Sequence, residues 1–348
     1  MPQTGTGLPI SPISIVTGFL GSGKTTLISR ILSDPMFART AVIVNEFGEV
    51  GLDHELMVAS SESFVQLASG CLCCRVRGDL ASTLLDLAAQ RSAGTMPVFD
   101  RVLIETSGLA DPAPILHALM TDAGVAGQFS IDTVLTLVDA VSGAAALERH
   151  PEARRQVALA DRLLLTKIDL TGDRDALQAV LTRLNPSAPV LEAISGAISP
   201  ELLFMAGQPA GDPYQRMARL QSLPALPGAS PFAARHTTGI DTFTLVRDQP
   251  VPALALTLLL AALTEHCGAR LLRVKGLVDV AEMPETPALI HGVGHVFAAP
   301  VWLDRWPSAD RSTRLVFITE DVPRYFPSRL LEAIEVEVTE QTGSNAWN

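Results

Sequence analysis

Two rhythms divide this chain. Through about the first 200 residues, short apolar runs alternate with stretches of helical period. The runs are 13–16, 40–44, 64–67, 101–104, 131–138, 162–165 and 189–191. Most are Val-, Ile- and Leu-rich and lack a polar face, which reads as strands covered on both sides. Between them, 26–32, 77–91, 112–120 and 175–184 carry apolar residues at helical spacing, as in Leu80, Leu84, Leu85 and Leu87. The alternation predicts an α/β fold, a mainly parallel sheet with helices on both faces and its chemistry at the carboxyl ends of the strands. No element is assigned to 140–161. After a stretch rich in Pro, Gly, Ala and Ser, the order changes to strand 242–246, helix 252–266, strands 271–280, 288–297 and 314–319, and helix 327–334. That is a smaller α+β domain. The expected partition is a tail at 1–12, a first domain at 13–199, a linker at 200–236 (with a short helix near 214–220) and a second domain at 237–340.

Composition narrows the picture a little. With 348 residues and 47% hydrophobic content, the chain can bury two cores. Its net charge of −11 argues against a nucleic-acid partner. The longest apolar run, 251–263, is too short to span a bilayer, so no membrane partner is expected. The first residues have neither a basic nor an apolar signal region, so the expected compartment is the cytoplasm.

Candidate chemistry gathers where the strands end. GFLGSGKT at 18–25 fits the phosphate-loop pattern, with an apolar strand before it and a helix after it. Glycines let backbone N–H groups turn inward around phosphate oxygens at the positive end of a helix. Gly18, Gly21, Ser22, Gly23, Lys24, Thr25 and Thr26 are the expected nucleotide contacts. Lys24 reaches for the β- and γ-phosphates and the Thr25 hydroxyl for Mg²⁺. Glu105-Thr106-Ser107-Gly108 ends another apolar run, the place of an acidic residue near Mg²⁺. Gly108 is placed to offer its N–H to the γ-phosphate. Lys24, Thr25 and Glu105 form the expected catalytic set.

Thr166-Lys167-Ile168-Asp169 ends the 162–165 run and resembles the guanine-selecting N-K-x-D signature of phosphate-loop GTPases. A carboxylate at Asp169 accepts from guanine N1–H and the exocyclic amine, whereas adenine would leave it unpaired, at about 1–3 kcal/mol or more. Thr166 stands where the signature has Asn, so loss of that residue's bracing amide and a weaker grip on guanine are expected. Ser195 and Gly196 are a further base-side loop.

Cys71, Cys73 and Cys74 sit within GCLCC at 70–74. Three thiols in four residues bind one borderline metal through two or three sulfurs, and a partner ligand or water completes the shell. Thiolates suit Zn²⁺, with Co²⁺ and Fe²⁺ as alternatives. Cys267 reads as a core thiol. His291 and His295, four apart on one expected strand, are about 13 Å apart by strand rise and read with His236 as structural or surface residues.

GFLGSGKTT, NEFGEVGLD, GCLCC, ETSGLADP and TKID, in this order, resemble the CobW-type family of phosphate-loop GTPase metallochaperones. The second domain resembles the family's C-terminal domain through LLRVKGLVDV and ALIHGVGHVF. The resemblance implies that GTP hydrolysis gates transfer of a metal ion from the cysteines to a client metalloprotein. Members deliver zinc to metalloenzymes, cobalt toward cobalamin synthesis or iron to nitrile hydratase. It makes 45–53 the first switch loop, with Glu46 and Glu49 as candidates for contact with Mg²⁺ or the cargo metal. The chain has seven histidines and no histidine cluster, so delivery of a single ion is favoured over storage. A GTP-dependent regulator holding a static structural metal is the rival class. No pattern sets the client or the oligomeric state.

Overall fold

The computed structural model describes residues 9–45, 64–66, 72–76, 80–171, 174–193, 198, 203–204 and 239–344. Most of the tail, the switch loop beyond Asn45 with Glu46 and Glu49, Cys71, Ser195, Gly196 and almost all of the linker, His236 included, lie outside these residues.

The chain divides into two compact units. The strands of the first are β1 (Ser11–Gly18), β2 (Thr40–Asn45), β3 (Phe64–Gln66), β4 (Leu72–Val76), β5 (Arg101–Thr106), β6 (Phe129–Asp139), β7 (Arg162–Thr166) and β8 (Val190–Glu192). They form one sheet in the order β3-β4-β2-β5-β1-β6-β7-β8. Every pairing is parallel except β3 on β4. The helices are α1 (Lys24–Leu32), α2 (Leu80–Ala93), α3 (Ala113–Thr121), α4 (Ala123–Ala126), α5 (Gly143–Arg149), α6 (Pro151–Leu159) and α7 (Asp175–Leu184). The central strands carry the continuous apolar runs that two-sided cover requires: Ile13, Ile15 and Val16 of β1, Val102, Leu103 and Ile104 of β5, and Leu163, Leu164 and Leu165 of β7 are all buried. Leu27, Ile28 and Ile31 of α1 pack onto Val16, Leu103, Leu135 and Leu164 in one cluster. Burying each such side chain contributes about 1.5–3 kcal/mol, so the helix behind the phosphate loop is anchored by its apolar stripe.

The second unit contains β9 (Ile240–Arg247), α8 (Ala253–Cys267), β10 (Leu271–Val278), β11 (Ala288–Val293), β12 (Val296–Phe297), β13 (Val301–Trp302), β14 (Thr313–Glu320) and α9 (Phe326–Ser344). Its antiparallel sheet runs β12-β11-β10-β14-β9, with β13 on β11. Leu256, Leu259 and Leu263 of α8 and Leu331 and Val338 of α9 share a core with Val274, Val278, Ile290 and Phe317. Cys267 belongs to that core, and burial pushes its thiol up.

Four expectations change. Residues 140–161, left unassigned, hold α5 and α6. Pro151 separates them and opens α6, because a proline suits the first helical turn and stops the preceding helix. Cys73 and Cys74 stand inside a strand rather than after one, paired with Val42 and Ile43 of β2. Five residues alone carry too little pattern to announce that strand; pairing with β2 and β3 makes it. The run 288–297 is a hairpin, broken at Gly294 with φ +56°, so His291 and exposed His295 do not share a strand. The last helix runs to Ser344, ten residues beyond the apolar pattern that predicted it.

Candidate functional site

The loop between β1 and α1 is built from glycines that no other residue replaces. Gly18, Gly21 and Gly23 have φ of +144°, +72° and +93°, the region that favours glycine. At Gly18 space also forbids a side chain: a Cβ there would lie 2.4 Å from the Leu137 carbonyl oxygen and 2.7 Å from Ser22 Oγ. Gly23 is the left-handed residue from which α1 starts. The first turn of the helix therefore carries Lys24, Thr25 and Thr26 beside unpaired N–H groups, the arrangement that attracts an anion.

Lys24 is buried, and its Nζ donates to the carbonyl of Gly18 at 2.8 Å and of Phe19 at 3.4 Å. Burial pushes its pKa down, and the Glu105 carboxylate pulls it partly back up. Thr25 Oγ1 donates to Glu105 Oε1 at 2.7 Å. Glu105 is itself buried, and β5 places it level with Val16 of β1. A hydroxyl and a carboxylate oxygen in contact are hard oxygen donors, a set that fits Mg²⁺. The next residue repeats the tie, with Thr106 Oγ1 donating to Thr17 Oγ1 at 2.7 Å.

Gly108 lies against the loop itself. A Cβ at Gly108 would come within 2.9 Å of Leu20 N and Cα, so only glycine lets the turn after β5 approach the phosphate loop this closely. On the other side, Thr166 Oγ1 donates to the Ser22 carbonyl at 2.8 Å. The amide that Asn would bring is absent, but the shorter hydroxyl still reaches the loop because β7 ends beside it. Lys167 has a left-handed backbone, φ +56°, and its Nζ donates to Asp139 Oδ2 at 2.7 Å. Asp169 follows, exposed, on the 3₁₀ turn Ile168–Leu170, which Ile168 anchors by its burial.

Asp139 closes β6, directly after the apolar run 131–138. Its Oδ1 accepts from Val141 N at 2.8 Å and Ser142 N at 3.3 Å. Burial pushes its pKa up, but the Lys167 ammonium and these two N–H groups outweigh burial and hold it below the usual carboxylate range. The signal was present in the sequence, an acidic residue closing an apolar run as Glu105 does. Phe19 stacks on His150, at the junction of α5 and α6, with ring centroids 4.5 Å apart. Nothing in the sequence places these two rings together.

The structure thus gathers Gly18 to Thr26, Glu105, Gly108, Thr166 and Lys167 along neighbouring strand ends, β5, β1, β6 and β7. The cysteine strand β4 joins this edge through β2: Val44 is level with Glu105 on one side and with Arg75 on the other, so Cys74 and Cys73 stand one and two residues before the level of Glu105. Among the described residues no cluster of His, Cys, Asp and Glu is set to hold a metal ion.

Known proteins share this fold. The chain is 32% identical over 311 residues to the zinc chaperone YjiA of Escherichia coli, covering 89% of this chain and 94% of that protein. It is 33% identical over 370 residues to the zinc chaperone CobW of Pseudomonas aeruginosa, covering 91% and 90%. The structure of Zn(II)-bound YjiA GTPase from E. coli superposes with a TM-score of 0.73 at 28% identity, covering 94% of this chain and 99% of that one. Residues 12–192 match the CobW/HypB/UreG nucleotide-binding domain, and residues 240–335 match the cobalamin synthesis protein CobW C-terminal domain. With the phosphate loop formed between β1 and α1 of the first matched domain, and the second matched domain following in the chain, the chain belongs to the CobW family.

Proposed function

We propose that this protein is a GTP-hydrolysing metallochaperone that carries Zn²⁺ and hands it to client metalloproteins. The observation that carries the reading is the phosphate loop held between two strand ends, with Thr25 bonded to Glu105 on one side and Ser22 bonded to Thr166 on the other. The names of the relatives as zinc chaperones support the choice of metal.

In this reading, N–H groups of the loop and Lys24 hold the phosphates, and Lys24 neutralises charge that grows on the departing phosphoryl group. Thr25 and Glu105 would hold Mg²⁺, which supplies Lewis-acid stabilisation of the phosphate oxygens. Gly108 offers its N–H to the γ-phosphate. Asp169 reads the guanine edge, with Ser195 as a further base-side contact, while Asp139 fixes Lys167 beside it. Cys71, Cys73 and Cys74 carry the cargo ion as thiolates, with Glu46 as a candidate further ligand, so loading releases protons and tightens with rising pH. The γ-phosphate orders the 45–53 switch, which leads out of β2, the strand that pairs directly with β4. Hydrolysis then loosens the thiolate shell and a client takes the ion. The expected compartment is the cytoplasm, where thiols stay reduced. The described residues contain no helix long and apolar enough to cross a membrane.

The test is an anaerobic titration of Zn²⁺ and Co²⁺ against a chromophoric chelator, with Mg²⁺ and a non-hydrolysable GTP analogue, with GDP, and with neither. A gated carrier shows Zn²⁺ affinity at least about tenfold higher with the GTP analogue, a coupling of about 1.4 kcal/mol. Equal affinity in all three states would make any cysteine-bound metal a static one.

A further inference from the structure

Gln156 belongs to none of the sequence motifs, yet it is the side chain that ties α6 to the turn after β5. It is 1% exposed. Its Nε2 donates to the Gly108 carbonyl at 3.1 Å and to the Ala110 carbonyl at 2.9 Å. Two carbonyls around one amide atom fix which end is the NH₂, because only that end carries two donors. The same residue's backbone carbonyl accepts from Thr136 Oγ1 of β6 at 2.8 Å, so the helix is pinned to the sheet where it grips the turn. Gln156 Oε1 is buried with no hydrogen-bond partner among the described residues. A position needed only for packing would be filled by an apolar residue, which leaves no buried acceptor unpaired. The amide is therefore explained by its donor end.

What that donor end holds lies at the nucleotide site. Gly108 touches Leu20 of the phosphate loop, and neighbouring Arg155 reaches Asp111 of the same turn at 3.5 Å. At the head of α6, His150 stacks on Phe19 of the loop. The segment that begins α5 follows Asp139, the partner of Lys167. The α5–α6 pair thus touches the phosphate loop and the turn that faces it, and it begins shortly after Asp139, which holds the base-side lysine.

We propose that Gln156 is a positioning residue for recognition of the γ-phosphate. By holding both carbonyls, Gln156 fixes the peptide planes that follow Gly108 and Ala110, and so the shape of the turn on which the Gly108 N–H is presented, and it passes the state of that turn to α5–α6. This rests on the reading that Gly108 meets the γ-phosphate. Gln156 therefore matters for GTP and not for GDP, which has no γ-phosphate to meet.

The experiment uses the full chain with Mg²⁺ and no zinc. It measures equilibrium affinity for GDP and for a non-hydrolysable GTP analogue, and turnover of GTP, in wild type, Gln156→Met and Gln156→Glu. Gln156→Met keeps the length and loses the donor; the preference for the GTP analogue over GDP falls about tenfold and turnover falls with it, while GDP affinity stays within about twofold. Gln156→Glu keeps the shape but sets a carboxylate against two carbonyl oxygens, so it is the more damaging of the two. A packing role reverses that order, since Glu is the closer isostere. An unchanged preference in both variants, an equal loss of GDP and GTP affinity, or a milder effect of Glu than of Met overturns the assignment. Lys24→Ala is measured alongside. Surviving turnover in that variant removes the phosphate-loop reading itself; abolished turnover with an unmoved GTP preference in the Gln156 variants removes only the role of Gln156. If either Gln156 variant lacks a cooperative thermal transition, hydrogen exchange of the wild type decides. Residues 108–111 and 153–157 must gain protection together with the GTP analogue and not with GDP, and protection confined to 108–111 overturns the proposal.

Discussion

At the scale of single residues, two hydrogen bonds set the base side of the site. Thr166 Oγ1 holds the Ser22 carbonyl, and it is buried. Thr166→Val keeps the shape and removes the donor, leaving a buried carbonyl with one partner fewer. The expected cost is about 1 kcal/mol, seen as a roughly fivefold loss of affinity for GTP and GDP alike in equilibrium titration. Asp139 gives a pH signature. Its folded-state pKa lies below the ordinary value, so its contribution to stability is present above about pH 4, the unfolded value, and is lost as pH falls through the folded value. Asp139→Asn is therefore less stable than wild type at pH 7, and the gap closes in acid below about pH 4. Lys167 is partly exposed, so solvent screens the pair and the gap is modest. Thermal melts of both proteins between pH 3 and 7 measure it; a gap that widens on acidification would contradict the assignment of charge to Asp139.

Elements add what no residue holds alone. The turn after β5 can sit against the phosphate loop only because Gly108 has no side chain. Gly108→Ala puts a Cβ 2.9 Å from the backbone of Leu20, and backbone cannot rotate away as a side-chain end can. Overpacking of this kind costs about 1–3 kcal/mol. The expected result is a lower melting temperature together with GTP turnover reduced about tenfold or more, measured on the same preparation. Normal turnover would show that the turn does not need this close approach. The strands that position these groups were legible because the covered stretch of a strand buried on both faces must be apolar, as 102–104 of β5 and 163–165 of β7 are. Helices α5 and α6 were not legible. They are short, separated by Pro151, and held by contacts distant in sequence, such as Gln156 to Gly108 and Phe19 to His150.

For the whole molecule, the question is whether nucleotide and metal report to each other. Strand β4 carries Cys73 and Cys74 beside β2, and β2 lies beside β5, which carries Glu105 next to its last residue. A sheet of packed parallel strands moves little, so coupling is expected through the loops at its edge rather than through the strands. Cys73→Ser lowers Zn²⁺ affinity by at least about tenfold in the presence of the GTP analogue, and leaves nucleotide affinity unchanged when zinc is absent. Chelator competition and nucleotide titration on the same variant measure both; an unchanged Zn²⁺ affinity would remove Cys73 from the carrier site.

The sequence by itself determined the local chemistry and the class of fold. Glycine, lysine and threonine at fixed offsets dictate a phosphate loop because backbone geometry over eight residues needs nothing from elsewhere. Apolar runs dictate buried strands for the same local reason, and the GSGKT, ETSG and TKID stretches announced their places at strand ends. Tertiary structure alone decided who meets whom. That Thr166 can brace the loop in place of Asn, that Asp139 holds Lys167, that Gly108 must be glycine, and that Gln156 grips the turn all depend on distances between segments 28 to 144 residues apart in the chain. Such contacts leave no periodic trace in either partner, because each side chain is chosen by a neighbour that only folding brings near.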